Sequence, residues 1–271
     1  LTFGLKRRRF GAAVFVCAGG LMDSDAGSRQ HERERTDGRQ ALITIETPVL
    51  GTEGARTFDS YYARPASGRG PGLVILTEMW GVAVSKRDMA EEYAAKGWCA
   101  VVPNLFWRSE VTGVVPFDEA DVAWKRLQAF DFDKAADDTR RAVEWLRAQP
   151  QCNGKVAAIG FCMGGRTAFL AAARAGVDAA VALYALGIAK HLDEIAKVNC
   201  PVQLHYGLND EHIPKSEIDT VDTASKANGK IEVHLHPGAA HGFFTAGRPA
   251  YNPEAVARAN MEIDRLLAPL K

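Results

Sequence analysis

The sequence predicts an α/β protein in which helices cover both faces of a mostly parallel, doubly wound sheet. Apolar runs such as Gly72–Thr77 (GLVILT) and Trp98–Val102 (WCAVV) lack polar alternation, as expected of strands buried on both faces. Longer helix-forming runs separate these strands, for example Glu254–Leu267 near the end of the chain. This alternation implies βαβ crossovers, which place successive strands side by side and parallel.

The predicted elements follow one another without an internal repeat. Strands are expected at residues 41–47, 58–63, 72–77, 98–102, 156–159, 179–186, 202–206 and 231–235, and helices at residues 85–96, 118–130, 135–148, 167–174, 216–227 and 254–267. We expect the first two strands to pair antiparallel across a glycine-containing connection. Ser85 is the predicted N-cap of the first helix, and Gly97 follows its end. Functional residues of such a sheet lie in loops at the carboxyl ends of its strands.

Composition limits the class of protein. The chain has 271 residues with 33 basic and 33 acidic side chains. Residues 41–271 suit one α/β domain, and the balanced charge gives no reason to expect nucleic acid or an anionic membrane as partner. No apolar run after residue 40 is long enough to span a membrane. Five cysteines without C-x-x-C spacing indicate free thiols, a cytoplasmic location and no structural metal. We expect a monomer or a small homo-oligomer.

Residues 1–40 form a leader with two open interpretations. Lys6–Arg9 precedes a short apolar run, Phe10–Met22, as in an export signal of the twin-arginine type, and export would replace the cytoplasmic location. Against this, the run is short, the cleavage region is poorly formed, and Cys17 lacks the small preceding residue of a lipoprotein signal. The alternative is an unstructured extension from an upstream translation start, and residues 23–39 offer almost nothing apolar to bury.

A sharp turn at Cys162 is the first candidate functional feature. The apolar run Val156–Ile159 leads into the segment GFCMGG, residues 160–165, and a helix-forming run follows at once. Glycines two before and two after Cys162 suit a strained apex where a strand and a helix approach closely. This is the G-x-nucleophile-x-G pattern, with cysteine as the nucleophile. An isolated cysteine between Phe161 and Met163 is more often a small buried apolar residue, so the interpretation depends on the flanking glycines.

Asp210 and His241 complete a predicted catalytic triad with Cys162. A thiol nucleophile needs a base, which His241 supplies from a loop after the last strand, while Asp210 orients the imidazole. Taken separately, Asp210 would be a turn residue and His241 an ordinary loop histidine. The order nucleophile, acid, histidine, with each residue after a strand, favours the triad. A structural role is expected for the histidines within strands, His205, His234 and His236.

Two backbone amides are expected to form an oxyanion hole, that of Met163 after the nucleophile and that of Met79 in the loop after the 72–77 strand. With this loop included, four stretches in order resemble the dienelactone hydrolase family. They are Glu78-Met79-Trp80-Gly81, Gly160-Phe161-Cys162-Met163-Gly164-Gly165, Gly207-Leu208-Asn209-Asp210 and Ala240-His241-Gly242-Phe243. The resemblance covers roughly residues 41–271.

The resemblance implies an α/β-hydrolase fold, a Cys-His-Asp triad and no cofactor or metal. It implies that a small enol-lactone (a dienelactone, or carboxymethylenebutenolide) is opened to an oxo-dienoic acid such as maleylacetate through an acyl-enzyme. It also implies that Glu78 contacts the resting cysteine and helps to generate the thiolate when substrate binds. A carboxylate in that place accepts the thiol proton and then moves toward a cation. Without the resemblance, Glu78 would be an exposed loop carboxylate.

The chain departs from the family at two arginines that hold the substrate carboxylate and partner the glutamate. Ala120 or a neighbour stands at the first position, and Thr245 stands at the second. The candidate replacements are Arg248, Arg87, Lys86 and Lys125. The residues expected to line an aromatic pocket, with the core as their alternative place, are Trp80, Trp124, Tyr184 and Phe243.

Two other functions therefore stay open. The missing arginines favour a carboxylesterase or thioesterase that acts on other small esters. A non-enzymatic thiol sensor would use Cys162 reversibly, although a sensor needs no oriented base such as His241. A small-molecule lactone or ester is the expected partner.

Overall fold

The structure of the protein is a computed structural model that describes residues 42–271, so the interpretations of the leader, residues 1–40, lie outside the described residues. Within the described range the strands are β1 Ile43–Glu46, β2 Val49–Glu53, β3 Arg56–Pro65, β4 Gly70–Leu76, β5 Cys99–Pro103, β6 Cys152–Phe161, β7 Ala179–Leu183, β8 Val202–Gly207 and β9 Ile231–His236. They form one sheet in the order β1-β3-β5-β4-β6-β7-β8-β9, and β2 pairs with β3.

The α-helices between and after these strands are α1 Val84–Ala95, α2 Ala120–Gln128, α3 Phe132–Arg147, α4 Met163–Arg174, α5 Lys215–Ser225 and α6 Pro253–Leu267. Two 3₁₀ segments, Ile188–Lys197 and Ala268–Leu270, complete them. Asp131 caps α3, because its carboxylate accepts hydrogen bonds of 3.0 Å from the amides of Asp133 and Lys134. Asn252 caps α6 in the same way and is followed by proline at the first helical position.

The predicted fold class is confirmed by the pairing of the strands. β1 and β2 pair antiparallel with β3, and β3 pairs antiparallel with β5. The strands from β4 to β9 run parallel to their neighbours. Every residue of β4, β5, β7 and β8 is buried, as in a sheet covered on both faces. Helices α3 and α4 pack against each other and against β6, while α1 packs against β3 and β5.

Several predicted boundaries were wrong. The connection between the first two predicted strands contains β2, whose sequence VLGTE has no alternating apolar pattern. Helix α1 follows Ala83 without a side-chain cap, so Ser85 lies inside the helix rather than before it. Strand β7 ends at Leu183 because Tyr184 turns to a positive φ of 38°. The 3₁₀ segment at residues 188–197 was not predicted.

The expectations of free thiols and of no membrane span can be compared with the structure of residues 42–271. The four cysteines in this range, Cys99, Cys152, Cys162 and Cys200, are free and buried. No helix in the same range combines the length and apolar character needed to cross a membrane.

The parallel strands bring five polar or reactive side chains to one edge of the sheet. Glu78 follows β4, Cys162 follows β6, Tyr184 follows β7, Asp210 follows β8 and His241 follows β9. Because the carboxyl ends of parallel strands share an edge, the loops that carry these residues converge. The candidate site is built from these loops.

Candidate active site

The turn at Cys162 is strained and tightly packed. Cys162 lies between β6 and α4 with φ 57° and ψ −120°, a conformation that residues with a side chain rarely adopt. A Cβ on Gly160 would lie 1.9 Å from the Gly164 carbonyl oxygen, and a Cβ on Gly164 would lie 2.3 Å from the Leu76 carbonyl oxygen. The Cys162 amide donates to the Leu183 carbonyl at 3.0 Å. The two glycines therefore allow β4, β6 and α4 to meet behind the thiol.

The structure brings Cys162, Asp210 and His241 together. His241 Nδ1 lies 2.8 Å from Asp210 Oδ2, and the imidazole and the Cys162 side chain line the same cavity. The Asp210 carboxylate is fully buried, and its Oδ1 accepts hydrogen bonds from the amides of His212 at 2.8 Å and Ile213 at 3.2 Å. Asp210 is thereby fixed on one side of the imidazole, and the other ring nitrogen is left for the thiol.

The protonation of His241 follows from these contacts. Burial lowers the pKa of His241, but its hydrogen bond to Asp210, together with the hydrogen bond and the charge of Cys162, outweighs burial and raises the pKa to about 9. The imidazole therefore holds a proton at neutral pH. The rings of Tyr184 and His212 pack edge to face against His241, with centroids 5.0 Å and 4.9 Å away. These contacts restrict the orientation of the imidazole.

The backbone amides predicted for an oxyanion hole are both available. Within residues 42–271, neither the Met79 amide nor the Met163 amide donates to a protein acceptor. Met163 is the first residue of α4, where a helix leaves its amides without partners. Met79 and Cys162 line the same cavity. Both amides are therefore unused donors, one in the residue after Cys162 and one in a residue that shares its cavity.

Glu78 is the centre of a buried polar cluster. The ammonium of Lys86 lies 3.1 Å from Glu78 Oε1, and the hydroxyls of Tyr184 and Thr245 donate to the same oxygen at 3.2 Å and 3.1 Å. Lys86 also donates to Thr245 Oγ1 at 3.3 Å, and its ammonium lies 3.9 Å from the centroid of the Phe161 ring. The cation that partners Glu78 in this chain is therefore a lysine from α1.

The charges within this cluster follow from its partners. Burial raises the pKa of Glu78, but the charge of Lys86 and hydrogen bonds to the carboxylate outweigh burial, so the pKa lies below its ordinary value. Burial and the charge of Glu78 hold the pKa of Tyr184 well above its ordinary value. The Tyr184 hydroxyl thus remains a donor to an ionised carboxylate.

A cavity of about 300 Å³ opens above the thiol. The residues that line it are Glu78, Met79, Trp80, Phe117, Ala120, Trp124, Cys162, Tyr184, Leu186, His212, His241, Gly242 and Arg248. Three of the four predicted pocket aromatics are in this set, whereas Phe243 is fully buried behind the Tyr184 ring, with centroids 5.4 Å apart. Phe243 therefore lies in the core, which was the alternative to a place in the pocket. His212 was not predicted, although it lies only two residues after Asp210 in the same loop.

The candidate replacements for the two family arginines lie in different places. Lys86 contacts Glu78 as described, and the Arg248 guanidinium lies at the cavity wall, 5.3 Å from the Trp80 ring and 4.5 Å from the Phe117 ring. Arg87 lies outside this cavity, where it donates to the Val82 carbonyl. Lys125 borders a different cavity. One candidate cation therefore pairs with Glu78, and another lies at the wall of the cavity above Cys162.

Potential metal ligands occur away from this cavity. Glu232, His234 and Glu262 bring one ligand atom each within 4.8 Å of one another. Arg265 donates to both carboxylates, at 2.6 Å to Glu232 and 2.9 Å to Glu262. The carboxylates are therefore already paired with a cation in a partly exposed network.

Comparison with known proteins agrees with this geometry. The dienelactone hydrolase family model matches residues 58–270. The carboxymethylenebutenolidase of Pseudomonas putida is 34% identical over 233 residues, which cover 85% of this chain and 98% of the relative. Carboxymethylenebutenolidase 1 of Cupriavidus pinatubonensis is 29% identical over 234 residues, which cover 85% of this chain and 99% of the relative.

A solved structure shows the same fold. A dienelactone hydrolase-like promiscuous phosphotriesterase from metagenomic libraries superposes with a TM-score of 0.73 at 22% identity. The superposition covers 84% of this chain and 99% of that chain. Together with the family model, which spans most of the sequence, these findings show that the chain belongs to the dienelactone hydrolase family.

Proposed function

We propose that this member of an ester- and lactone-hydrolysing family opens a small enol-lactone, a dienelactone, to an oxo-dienoic acid such as maleylacetate by a cysteine-dependent route. The observation that carries the proposal is that His241, bound to Asp210, lines one cavity with Cys162 at its strained turn. Relatives named carboxymethylenebutenolidase, which align over most of their length, support the substrate class.

In the first step Cys162 Sγ, as the thiolate paired with the His241 imidazolium, attacks the lactone carbonyl carbon. The electron pair of the carbonyl moves to its oxygen, which the amides of Met79 and Met163 stabilise. Collapse of this intermediate breaks the ring C–O bond and forms a thioester. The released enolate oxygen takes the proton of His241, and the enol then tautomerises to the ketone.

The second step uses the same imidazole as a base. The charge of Cys162 is one of the causes that raise the pKa of His241, and this charge is lost when the thiol is acylated. Burial, which lowers the pKa, then favours the neutral imidazole. His241 removes a proton from water, the water oxygen attacks the thioester carbon, and the thiolate leaves with the acid formed as product.

Arg248 favours an anionic substrate. Its guanidinium borders the cavity, and within residues 42–271 no carboxylate forms an ion pair with it. The cavity of about 300 Å³ is at the small end of ligand pockets. A small lactone that carries a carboxylate would place that group at Arg248 and its ring carbonyl at Cys162.

Hydrolysis of another small, neutral ester is the second candidate. The observation that favours it is that Ala120 or a neighbour, and Thr245, stand at the positions where the resemblance implies arginines, so both of those cations are missing. Arg248→Gln separates the two candidates. It should raise KM for a dienelactone by about tenfold or more, the cost of one charge-assisted hydrogen bond, and leave KM for p-nitrophenyl acetate unchanged. Arg87→Gln, outside the cavity, is the matched control.

The central experiment follows the loss of ultraviolet absorbance of cis- and trans-dienelactone. Cys162→Ala and His241→Ala should each lower kcat by roughly 10⁴-fold or more, as removal of a triad member does in other hydrolases. Cys200→Ala removes a buried thiol that precedes β8, at the opposite end of this strand from Asp210, and should leave the rate unchanged. Full activity of Cys162→Ala would overturn the proposed function.

A further inference from the structure

Arg126, on α2, is a buried cation whose partners are backbone carbonyls. The residue is only 6% exposed. Its Nε donates to the Met79 carbonyl at 2.9 Å, and Nη2 donates to the same oxygen. Nη1 donates to the carbonyls of Gly113 at 2.7 Å and Val111 at 3.2 Å. The guanidinium lies 3.8 Å from the centroid of the Phe106 ring.

This environment is costly for a charge. Within residues 42–271 no carboxylate pairs with Arg126, and burial lowers its pKa to about 10, so the side chain remains charged at neutral pH. The hydrogen bonds to the carbonyls of Met79, Val111 and Gly113 must therefore offset the cost of burying the charge. The three carbonyl partners span two loops, residues 79 and 111–113, which a planar guanidinium can bridge and an ammonium cannot.

The contact with Met79 fixes the turn that carries a candidate oxyanion donor. The peptide group that contains the Met79 amide is held at its oxygen, because the Gly81 amide donates to the Glu78 carbonyl at 3.2 Å. Arg126 holds the next peptide group at the Met79 carbonyl. Gly81 itself has a φ of 80°, and a Cβ there would lie 3.1 Å from Arg126 Nη2, so the turn is packed onto the guanidinium. Both peptide groups that flank the Met79 Cα are therefore immobilised.

We propose that Arg126 is a positioning residue, which holds the turn of residues 78–81 so that the Met79 amide meets the oxyanion formed at Cys162. The inference rests on the proposed function, because it requires a tetrahedral intermediate at the thiol. Arg126 acts through Met79 and does not border the cavity above Cys162. Its effect should therefore appear when an oxyanion forms and not in the reactivity of the thiol itself.

Two thiol probes separate these effects. An aryl trifluoromethyl ketone adds the Cys162 thiolate to its carbonyl carbon, and the carbonyl electron pair moves to oxygen, so the reversible adduct carries an oxyanion. Iodoacetamide alkylates the thiolate with loss of iodide and forms no oxyanion. In Arg126→Met the ketone affinity and the kcat for lactone hydrolysis should each fall by about 10- to 100-fold, part of the cost of a lost oxyanion donor. KM and the rate of alkylation by iodoacetamide should stay within about twofold of the parent values, a change far smaller than the loss expected for ketone affinity and kcat.

Conservative and matched variants complete the test. Arg126→Lys keeps a charge but reaches fewer carbonyls, so its ketone affinity should lie between those of Arg126→Met and the parent protein. Arg147→Met removes another arginine that binds two backbone carbonyls, those of Gly154 at 3.2 Å and Gly176 at 2.7 Å, away from the cavity. This control should retain ketone affinity and kcat. If Arg126→Met does not fold, the comparison of Arg126→Lys with Arg147→Met decides the question.

Each outcome has a distinct meaning. Ketone affinity and kcat that match those of Arg147→Met in both Arg126 variants would overturn the inference. An iodoacetamide rate that falls by the same factor as ketone affinity would also overturn it, because the role would then be structural. Ketone binding and turnover that survive Cys162→Ala would instead overturn the proposed function, independently of Arg126.

Discussion

The ammonium of Lys86 lies 3.1 Å from Glu78 Oε1, and the two side chains are only 1% and 8% exposed. The pair is next to the nucleophile turn, since Lys86 also packs against the ring of Phe161, the residue before Cys162. Thr245 links the two charges, donating to Glu78 and accepting from Lys86. A buried lysine and a hydroxyl thus surround the carboxylate.

Removal of Lys86 should destabilise the protein strongly. Lys86→Met keeps the length of the side chain but leaves the Glu78 carboxylate buried without its cation. The free energy of unfolding should fall by about 3–5 kcal/mol, the cost of breaking a buried ion pair from one side. The charge of Lys86 lowers the pKa of Glu78, so that pKa should rise in the variant. Urea unfolding at pH 7 measures the loss.

A double variant and an exposed pair serve as controls. Lys86→Met combined with Glu78→Gln removes both charges and should recover part of the lost stability. Lys215→Met breaks an ion pair with Asp219 in which the side chains are 74% and 58% exposed, and it should cost less than about 1 kcal/mol. Equal losses for Lys86→Met and Lys215→Met would contradict the prediction.

Gly164→Ala should disrupt the nucleophile turn although alanine favours helices. The added methyl would lie 2.3 Å from the Leu76 carbonyl oxygen and 2.5 Å from that of Thr77, and both are backbone atoms of the neighbouring strand and its loop. The free energy of unfolding should fall by roughly 2 kcal/mol or more, and hydrolysis should be lost, because β4 and α4 have to separate. Thermal unfolding and the dienelactone assay measure both effects.

Gly229→Ala is the matched control for this substitution. Its added methyl would meet no atom within 4 Å, and Gly229 is exposed. Stability and rate should both stay at the level of the parent protein. A stable, active Gly164→Ala would show that the strand and helix are less closely packed than these distances indicate.

The sequence could predict that Cys162, Asp210 and His241 lie near one another because its information is local. Each of Cys162, Asp210 and His241 follows an apolar strand, and parallel strands carry their following loops to one edge of the sheet. The glycines around Cys162 indicate the sharp turn by spacing alone. The order of these motifs along the chain could therefore predict which side chains meet, before any distance was known.

The cluster around Glu78 could not be predicted in the same way. Lys86 and Thr245 are 159 positions apart, and Arg126 and Met79 are 47 positions apart. Long side chains on helices can reach any of several loops, so the sequence left Lys86 as one of four candidate cations and did not indicate Arg126. The packing of Phe243 behind Tyr184 was unpredictable for a similar reason, since an aromatic residue suits a pocket and a core equally well.

Acid should destabilise the protein through its buried strand histidines. His205 and His236 share a hydrogen bond of 3.0 Å inside the sheet. Burial, followed by the charges of neighbouring groups, lowers the pKa of His236 to about 4 and that of His205 well below its ordinary value. The neutral forms are favoured on folding, so this contribution to stability is complete above the unfolded pKa of about 6.5 and is lost as the pH falls toward 4.

One variant measures how much the protonation of His236 contributes to the loss of stability in acid. The lowering of the pKa of His236 to about 4 corresponds to a loss of roughly 3 kcal/mol in the free energy of unfolding between pH 6.5 and pH 4. The groups that face His236 include His205, His234 and Arg258. His236→Gln should lose less stability than the parent between pH 7 and pH 4.5 in urea unfolding. An unchanged difference between the two pH values would contradict the assignment, because carboxylates titrate in both proteins.

Alkali should instead act on catalysis through His241. Its pKa is raised to about 9, so the imidazolium that protonates the opened lactone is present below that pH and is lost above it. Because the folded protein binds this proton more tightly than the unfolded chain, the proton also stabilises the folded state. This contribution is complete below the unfolded pKa of about 6.5 and is lost as the pH rises through 9. We therefore expect kcat/KM to fall above about pH 9, by about tenfold per pH unit.

Asp210→Asn tests whether His241 causes the fall in kcat/KM at alkaline pH, called here the alkaline limb of the pH profile. The hydrogen bond that Asp210 accepts from the imidazole is the largest of the causes that raise the pKa of His241. Its loss should therefore lower the pH above which kcat/KM falls, as well as reduce the rate. Asp219→Asn removes an exposed carboxylate bound to Lys215 and should leave the profile in place. Direct titration of the His241 imidazole by NMR gives the pKa without turnover. An alkaline limb that stays near pH 9 in Asp210→Asn would show that another group controls it, because His241 would then have lost its main source of basicity.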